Sequence, residues 1–321
     1  MINKMGDKKI SERILDSANK FVLRVSALYP DGYEFLFLFY FIKEEQMAYK
    51  PVEVVDLAGN AGMYKGNLGI PNWLIRSFMA GLFIAVGAAL CTVCGTGVDK
   101  TLGPGFKSLI AGSVFPVGLI AIVLTGMSLF TGDTMLIPMA VFQKKSTWSK
   151  VWNAWFWVYI GNFIGSLFWA YLMVIGPFSK GGGPELTVFG QNAIAIAEAK
   201  TLPYIAVGSI GMWSAFMKGI ACNLLVNVAI LLALSSKNMI GKFFGIWFPI
   251  MAFVATGFEH SVANMYFIPT GIMLGANVSW AQFVQWNLIP VTLGNIVGGF
   301  IFIGAVYFYS FKKELSTMSP T

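Results

Sequence analysis

The chain contains one histidine, His260, and it follows directly on Glu259 in the string "GFEHSVANM". The surrounding third of the sequence is otherwise almost continuously apolar. An imidazole titrates near neutral pH and can lend and recover a proton. Held in an apolar environment, it marks a path for protons or ions. Even on lenient insertion scales, an ionisable group inside a bilayer costs ~2.5–3.5 kcal/mol. In a soluble protein the same lone histidine would read as a hydrogen-bonded core residue. Glu259 reads in two ways, as part of the path or as an anchor that accepts hydrogen bonds from freed backbone amides.

Cys91 and Cys94 form a C-x-x-C spacing, but they close an apolar stretch and have no βαβ context, so they read as buried small residues. With three cysteines and one histidine the chain offers no disulfide framework and no metal-ligand set. It has no nucleophile–base pair and no phosphate-binding loop. No enzymatic activity and no cofactor are expected.

The elements that position His260 follow from composition. The chain has 321 residues, 56% hydrophobic and 12% charged, against about 25% charged in a soluble domain. Apolar stretches of about 20 residues, each enough to cross a bilayer as a helix, recur along it. The expected spans are 73–94, 106–142, 151–175, 207–234, 243–274 and 283–309. The second and fifth are too long for one uninterrupted crossing. The net charge of +7 points to a basic membrane face, and no nucleic-acid module accompanies it. The charged start lacks the pattern of a signal peptide. Tyr33–Ile42 is apolar but too short to span, which suits an interfacial helix or a contact segment.

The long spans repeat one another. "FPVGLIAIVLTGMSLFTGDTMLIP" begins at Phe115 and "FPIMAFVATGFEHSVANMYFIP" at Phe248. Each opens Phe-Pro, carries Thr-Gly and closes Ile-Pro, with eleven residues from Gly126 to Ile137 and from Gly257 to Ile268. Downstream, "GNFIG" from Gly161 answers "GNIVG" from Gly294. Each copy holds three spans. Three is odd, so the second copy must enter from the opposite side, as an inverted repeat. The expected fold is an all-α membrane bundle of six helices in two inverted repeats, about 73–175 and 207–309, with the second and fifth helices broken. The transport domain is 51–313, preceded by an extension, 1–50, of no assigned role and followed by a tail, 314–321. Lys144, Lys145, Lys150, Lys237, Lys242, Lys312 and Lys313 fall on one face, against Lys100, Lys107, Lys180 and Lys200 on the other. The richer face is expected to be cytoplasmic, with both termini inside.

Non-helical backbone survives in a bilayer only against protein or a cavity, because each unpaired amide group costs several kcal/mol there. The two breaks therefore belong together near the midplane, with Thr131 in one and His260 in the other. A bare small anion in a dry constriction pays on the order of 20 kcal/mol. Protonating a carboxylate of pKa ~3.9 at pH 7 costs only about 4 kcal/mol. The neutral acid is the cheaper passenger.

The strings "GFEHSVANM", "NLIPVTLGNIVGG", "LFTGD", "VYIGNFIG" and "GMYKG" resemble the formate/nitrite transporter family over roughly residues 51–312. The resemblance implies an aquaporin-like fold, a homopentamer in the lipid bilayer of the cell membrane, and one pore per protomer for small monovalent anions. By position it makes His260 the central pore histidine and Thr131 its loop partner. It places Phe115, Leu119, Leu129 and Phe253 at two apolar constrictions, and Asn223 and Asn295 beside the pore. The family's external lysine best matches Lys200, in "AEAK", with longer spacing than usual to "FMKGIACN". Lys218 is a competing basic group, and Ser128 stands where the family often has an acidic residue. Formate is the expected cargo by family frequency, not by any residue here. The alternatives are nitrite or hydrosulfide in the same kind of pore or, in other classes, a membrane anchor subunit of an oxidoreductase or a neutral-solute channel like an aquaporin.

Overall fold

The computed structural model describes residues 48–318, together with Lys20. The expectation for Tyr33–Ile42, and nearly all of the extension 1–50, lie outside the described residues, as do the last three residues of the tail. From Tyr49 onward the described residues cluster as one compact unit. Among the described residues it is helical, with no named strand, and an isolated bridge pairs Ser179 with Leu186.

A helix that the span analysis did not assign, α1 (Pro51–Gly66), comes first. Pro51 suits its first turn, where the missing N–H is no loss. Val54, Val55 and Ala58 are buried. Next come α2 (Ile70–Cys94), α3 (Val98–Leu102), α4 (Pro104–Thr125), α5 (Phe130–Phe142) and α6 (Trp148–Ile175). The indole of Trp73 donates to the carbonyl of Lys65 at 2.8 Å and ties α2 to the end of α1. The second half runs α7 (Val188–Ala199), α8 (Leu202–Ala206), α9 (Ser209–Ser235), α10 (Met239–Ala255), α11 (Ser261–Met273) and α12 (Trp280–Thr317). Five of these helices, α2, α4, α6, α9 and α12, are long and apolar enough to cross a bilayer. Two shorter apolar helices, α5 and α10, lie beside the breaks.

The expected spans start two to four residues late or early. Pro71 and the backbone turn at 207–208 set the true starts of α2 and α9. Pro116 divides α4 into two helical pieces, because it has no N–H for the ladder. In α12 the stretches Val284–Leu288 and Gly298–Ala305 are π-helical. The first ends two residues before Pro290, whose missing amide favours such a local slip.

Tight packing organises each half. Helix α6 lies on α2, and α12 lies on α9. A Cβ at Gly165 would collide with the carbonyl of Phe78, and one at Gly298 with that of Ile220. Small residues let helix backbones approach closely in a bilayer, where no hydrophobic force drives helices together. The glycines of "GNFIG" and "GNIVG" thus do the same work in the two halves.

Candidate functional site

Both long spans are interrupted where the sequence predicts. Helix α4 stops at Thr125, and Gly126 takes φ +75°, a left-handed conformation that glycine adopts without penalty. Helix α10 stops at Ala255, and Gly257 takes φ +73°. Leu129 and His260, both extended, are the N-caps of α5 and α11.

Two asparagines hold the breaks. Oδ1 of Asn162 accepts from the Phe130 amide at 2.9 Å, and its Nδ2 donates to the carbonyls of Ser77 and Ser128. Oδ1 of Asn295 accepts from the Ser261 amide at 2.8 Å, and its Nδ2 donates to the carbonyls of Gly219 and Glu259. Each side chain is fully buried, satisfies an amide and a carbonyl that the break leaves open, and ties them to a carbonyl of a neighbouring spanning helix. Asn223, on α9, donates to the carbonyl of Thr131 at 3.0 Å, to Oγ1 of Thr134 and to the carbonyl of Asn295. Asn227 also donates to the Thr131 carbonyl.

Between the breaks, Nε2 of His260 lies 2.9 Å from Oγ1 of Thr131, both residues being buried. The Ala263 amide donates to Nδ1 of His260 at 3.0 Å. A backbone N–H can only donate, so Nδ1 holds a lone pair. The network therefore assigns the ring proton to Nε2, directed at Thr131. The hydroxyl proton of Thr131 is then left for another acceptor.

Two cavities flank this pair. One, of about 250 Å³, is lined by Phe115, Phe253, His260, Asn264 and Lys200. The rings of Phe115 and Phe253 meet edge-on at 5.6 Å, and Phe253 stacks on His260 at 5.8 Å. The other, of about 190 Å³, is lined by Leu119, Leu129, Gly132, Asp133 and Lys65.

Each cavity is lined by two lysines, Lys107 and Lys200 in the first and Lys65 and Lys242 in the second, and one of each two is paired with a buried carboxylate. Nζ of Lys200 donates to Oε2 of Glu259 at 2.9 Å. Nζ of Lys65 lies 2.9 Å from Oδ1 of Asp133 and donates to the carbonyl of Met127 at 3.1 Å. Asn264 donates to Oε2 of Glu259 and to Oδ1 of Asn287, and Asn287 donates back to the carbonyl of Lys200. Tyr204, on α8, donates to Oε1 of Glu259 at 3.0 Å. Burial, and then the Glu259 carboxylate, push this phenol well above its usual range, so it stays protonated.

All ten sequence-derived residues thus have a place. His260, Phe115, Phe253 and Lys200 line one cavity, and Leu119 and Leu129 line the other. Thr131 bridges to His260, Glu259 pairs with Lys200, and Asn223 and Asn295 fasten backbone. Lys218 reaches the hydroxyl of Tyr204 and is absent from the Lys200 cavity lining. Cys91 is buried, whereas Cys94 is only half-buried. Sequence reasoning passed over Lys65, Asp133, Asn162 and Asn264. Two signals were available: Asp133 and Asn264 both stand seven residues after their break glycine, and Asn162 aligns with Asn295 in the repeated "GN". Among the described residues no cluster suits a metal ion.

Helices that cross a membrane, interrupted to place a histidine and a threonine between two lysine-bearing cavities, define a polytopic membrane transport protein. The chain belongs to the formate/nitrite transporter family, whose model matches residues 52–309. It is 43% identical to a "Probable formate transporter" of Methanothermobacter thermautotrophicus over 75% of this chain and 89% of that protein. Its fold is similar to a solved "FNT family ion channel" with TM-score 0.68 and 27% identity, over 80% of this chain and 98% of that one. It is also similar to a solved "Pentameric formate channel with formate bound" with TM-score 0.62 and 30% identity, over 76% and 98% of the two chains.

Proposed function

We propose that this protein carries formate across the cell membrane, with a proton, through one path in each protomer of a homopentamer. The observation that carries this reading is the buried His260–Thr131 pair between two cavities, each lined by a lysine that is ion-paired with a buried carboxylate. The names of its relatives support formate as the cargo and a pentamer as the assembly.

The six crossings are α2, α4 with α5, α6, α9, α10 with α11, and α12. They form two inverted repeats of three within a transport unit spanning 51–313. The matching roles of Asn162 and Asn295 support that symmetry. Both termini are cytoplasmic, so the Lys200 cavity opens outward and the Lys65 cavity inward.

An anion enters toward Lys200, drawn by its charge. Moving on toward Phe115 and Phe253, it leaves water. Taking up a proton from the aqueous cavity costs about 4 kcal/mol at pH 7 for an acid of pKa ~3.9. Staying ionised in the dry constriction costs on the order of 20 kcal/mol. The acid therefore passes neutral. His260 donates from Nε2 to Thr131 and turns the threonine hydroxyl proton toward the passing carboxyl group. An imidazolium would need a second ring N–H where the Ala263 amide already points, so His260 serves first as an orienting donor. Beyond Leu119 and Leu129 the acid ionises again near Lys65.

Stopped-flow uptake of formate, nitrite and hydrosulfide into proteoliposomes across pH 4 to 8 tests this reading. Formate uptake should be fastest and should rise as the pH falls. Equal rates for all three anions would remove the formate assignment. A haem absorbance band in the purified protein would favour the oxidoreductase anchor.

A further inference from the structure

The Lys200–Glu259 pair raises a physical difficulty. A lysine locked into a closed ion pair attracts an anion poorly, because the partner carboxylate cancels its charge. The hydrogen bonds around Glu259 resolve this. Oε2 accepts from Lys200 at 2.9 Å and from Asn264 at 2.6 Å. Oε1 accepts from the hydroxyl of Tyr204 at 3.0 Å. That hydroxyl in turn accepts from Nζ of Lys218 at 3.3 Å, and the same ammonium lies 5.3 Å from the Tyr204 ring centre.

The direction of this chain is fixed. An ammonium only donates and a carboxylate only accepts, so Lys218 donates to Tyr204 and Tyr204 to Glu259. Hydrogen bonds in series polarise one another, which strengthens the phenol as a donor. Tyr204 is buried, and the close approach of Gly211 to its backbone holds it in place. Lys218 therefore supplies a second positive charge to Glu259 from behind, without entering the cavity. Lys200 keeps two of its three N–H groups off Glu259.

We propose that Tyr204 and Lys218 are positioning residues that occupy one oxygen of Glu259 and so leave the Lys200 ammonium available to an entering anion. Without the phenol, Oε1 would be a buried acceptor with no partner, and a second Lys200 N–H is the donor placed to satisfy it. Lys200 would then be drawn from the cavity into a two-pronged pair. The proposal rests on reading the Lys200 cavity as an anion entrance.

The test compares wild type, Tyr204→Phe, Lys218→Gln and the double variant, each purified in detergent and reconstituted, with folding checked by size-exclusion profile. Formate uptake gives KM and maximal rate separately. Labelling of Lys200 by trinitrobenzenesulfonate, followed by mass spectrometry, gives its availability without any transport. Loss of one charge-assisted bond should raise KM about tenfold in Tyr204→Phe, with maximal rate held within about twofold. Lys218→Gln should raise it less. The double variant should match Tyr204→Phe, because both residues act on one oxygen. Lys200 should label several-fold more slowly in both single variants. Lys218→Gln, at a half-buried position, carries the test if Tyr204→Phe folds poorly. An unchanged KM, multiplied effects in the double variant, or unchanged labelling would each overturn the proposal. If wild type takes up no formate, the transport reading fails, while the labelling arm still decides what Tyr204 and Lys218 do.

Discussion

Asn162 and Asn295 stand in equivalent places and make equivalent bonds: each accepts from the amide that opens a restarted helix and donates to one carbonyl of the break and one carbonyl of a neighbouring spanning helix. Replacing either by leucine strands two buried backbone groups of the break, the first amide of the restarted helix and a loop carbonyl, each costing about 1–3 kcal/mol. Asn162→Leu and Asn295→Leu should therefore lower thermal stability by similar, large amounts in detergent-solubilised protein, read by loss of the folded size-exclusion peak on heating. A large effect at one asparagine only would argue against the equivalence of the two breaks.

The imidazole of His260 has two tasks, capping α11 through Nδ1 and donating to Thr131 through Nε2. His260→Phe removes both and should abolish pH-dependent formate uptake in proteoliposomes. His260→Asn keeps a capping acceptor, since asparagine is a favoured N-cap. It should restore folding without restoring wild-type uptake. Water flux that survives His260→Phe while formate uptake never depended on pH would support a neutral-solute channel instead.

Asp133 is almost fully buried and Lys65 is its ion-pair partner. Removing one partner of a buried pair leaves an uncompensated charge and costs about 3–5 kcal/mol. Lys65→Met should accordingly destabilise the protein more than the double variant Lys65→Met with Asp133→Asn. Thermal unfolding of the three proteins measures the difference, and a double variant as unstable as the single would show that the charge is not what matters.

Gly126 and Gly257 adopt positive φ with nothing within 4 Å of where a Cβ would sit. Substitution by alanine should cost only the left-handed backbone penalty, about 1–2 kcal/mol at each. A much larger loss of thermal stability would point to a second conformation in which these positions are crowded.

Uptake should weaken as salt rises, because screening shortens the reach of Lys200 to about 10 Å at 0.1 M ionic strength. Raising the ionic strength with an impermeant salt should raise KM for formate and leave the maximal rate unaltered. No salt dependence of KM would remove Lys200 from the capture step.

The helical membrane class was legible because span length and apolarity are local properties, set by bilayer thickness alone. The breaks were legible because Thr-Gly recurs at matched spacing in a long apolar run, and a chain interrupted there must meet protein or a cavity. What belonged to other elements was not. Asp133 reads as one letter of "LFTGD", and Lys65 as one letter of "GMYKG", until the fold packs α1 against α5 and sets the two charges 2.9 Å apart across 68 positions of sequence.

The choice between Lys200 and Lys218 had the same character. Spacing along the chain left it open, because the 17 residues between them contain two turns, the short helix α8 and the start of α9. The tertiary structure sends Lys200 to the cavity and Lys218 to the hydroxyl of Tyr204. By itself the sequence determined that helices cross a membrane and where two of them stop, since those outcomes follow from nearby residues and the solvent around them. Which buried charge meets which, and which nitrogen of His260 carries the proton, depend on directional contacts between distant segments, and only the packed fold fixes those directions.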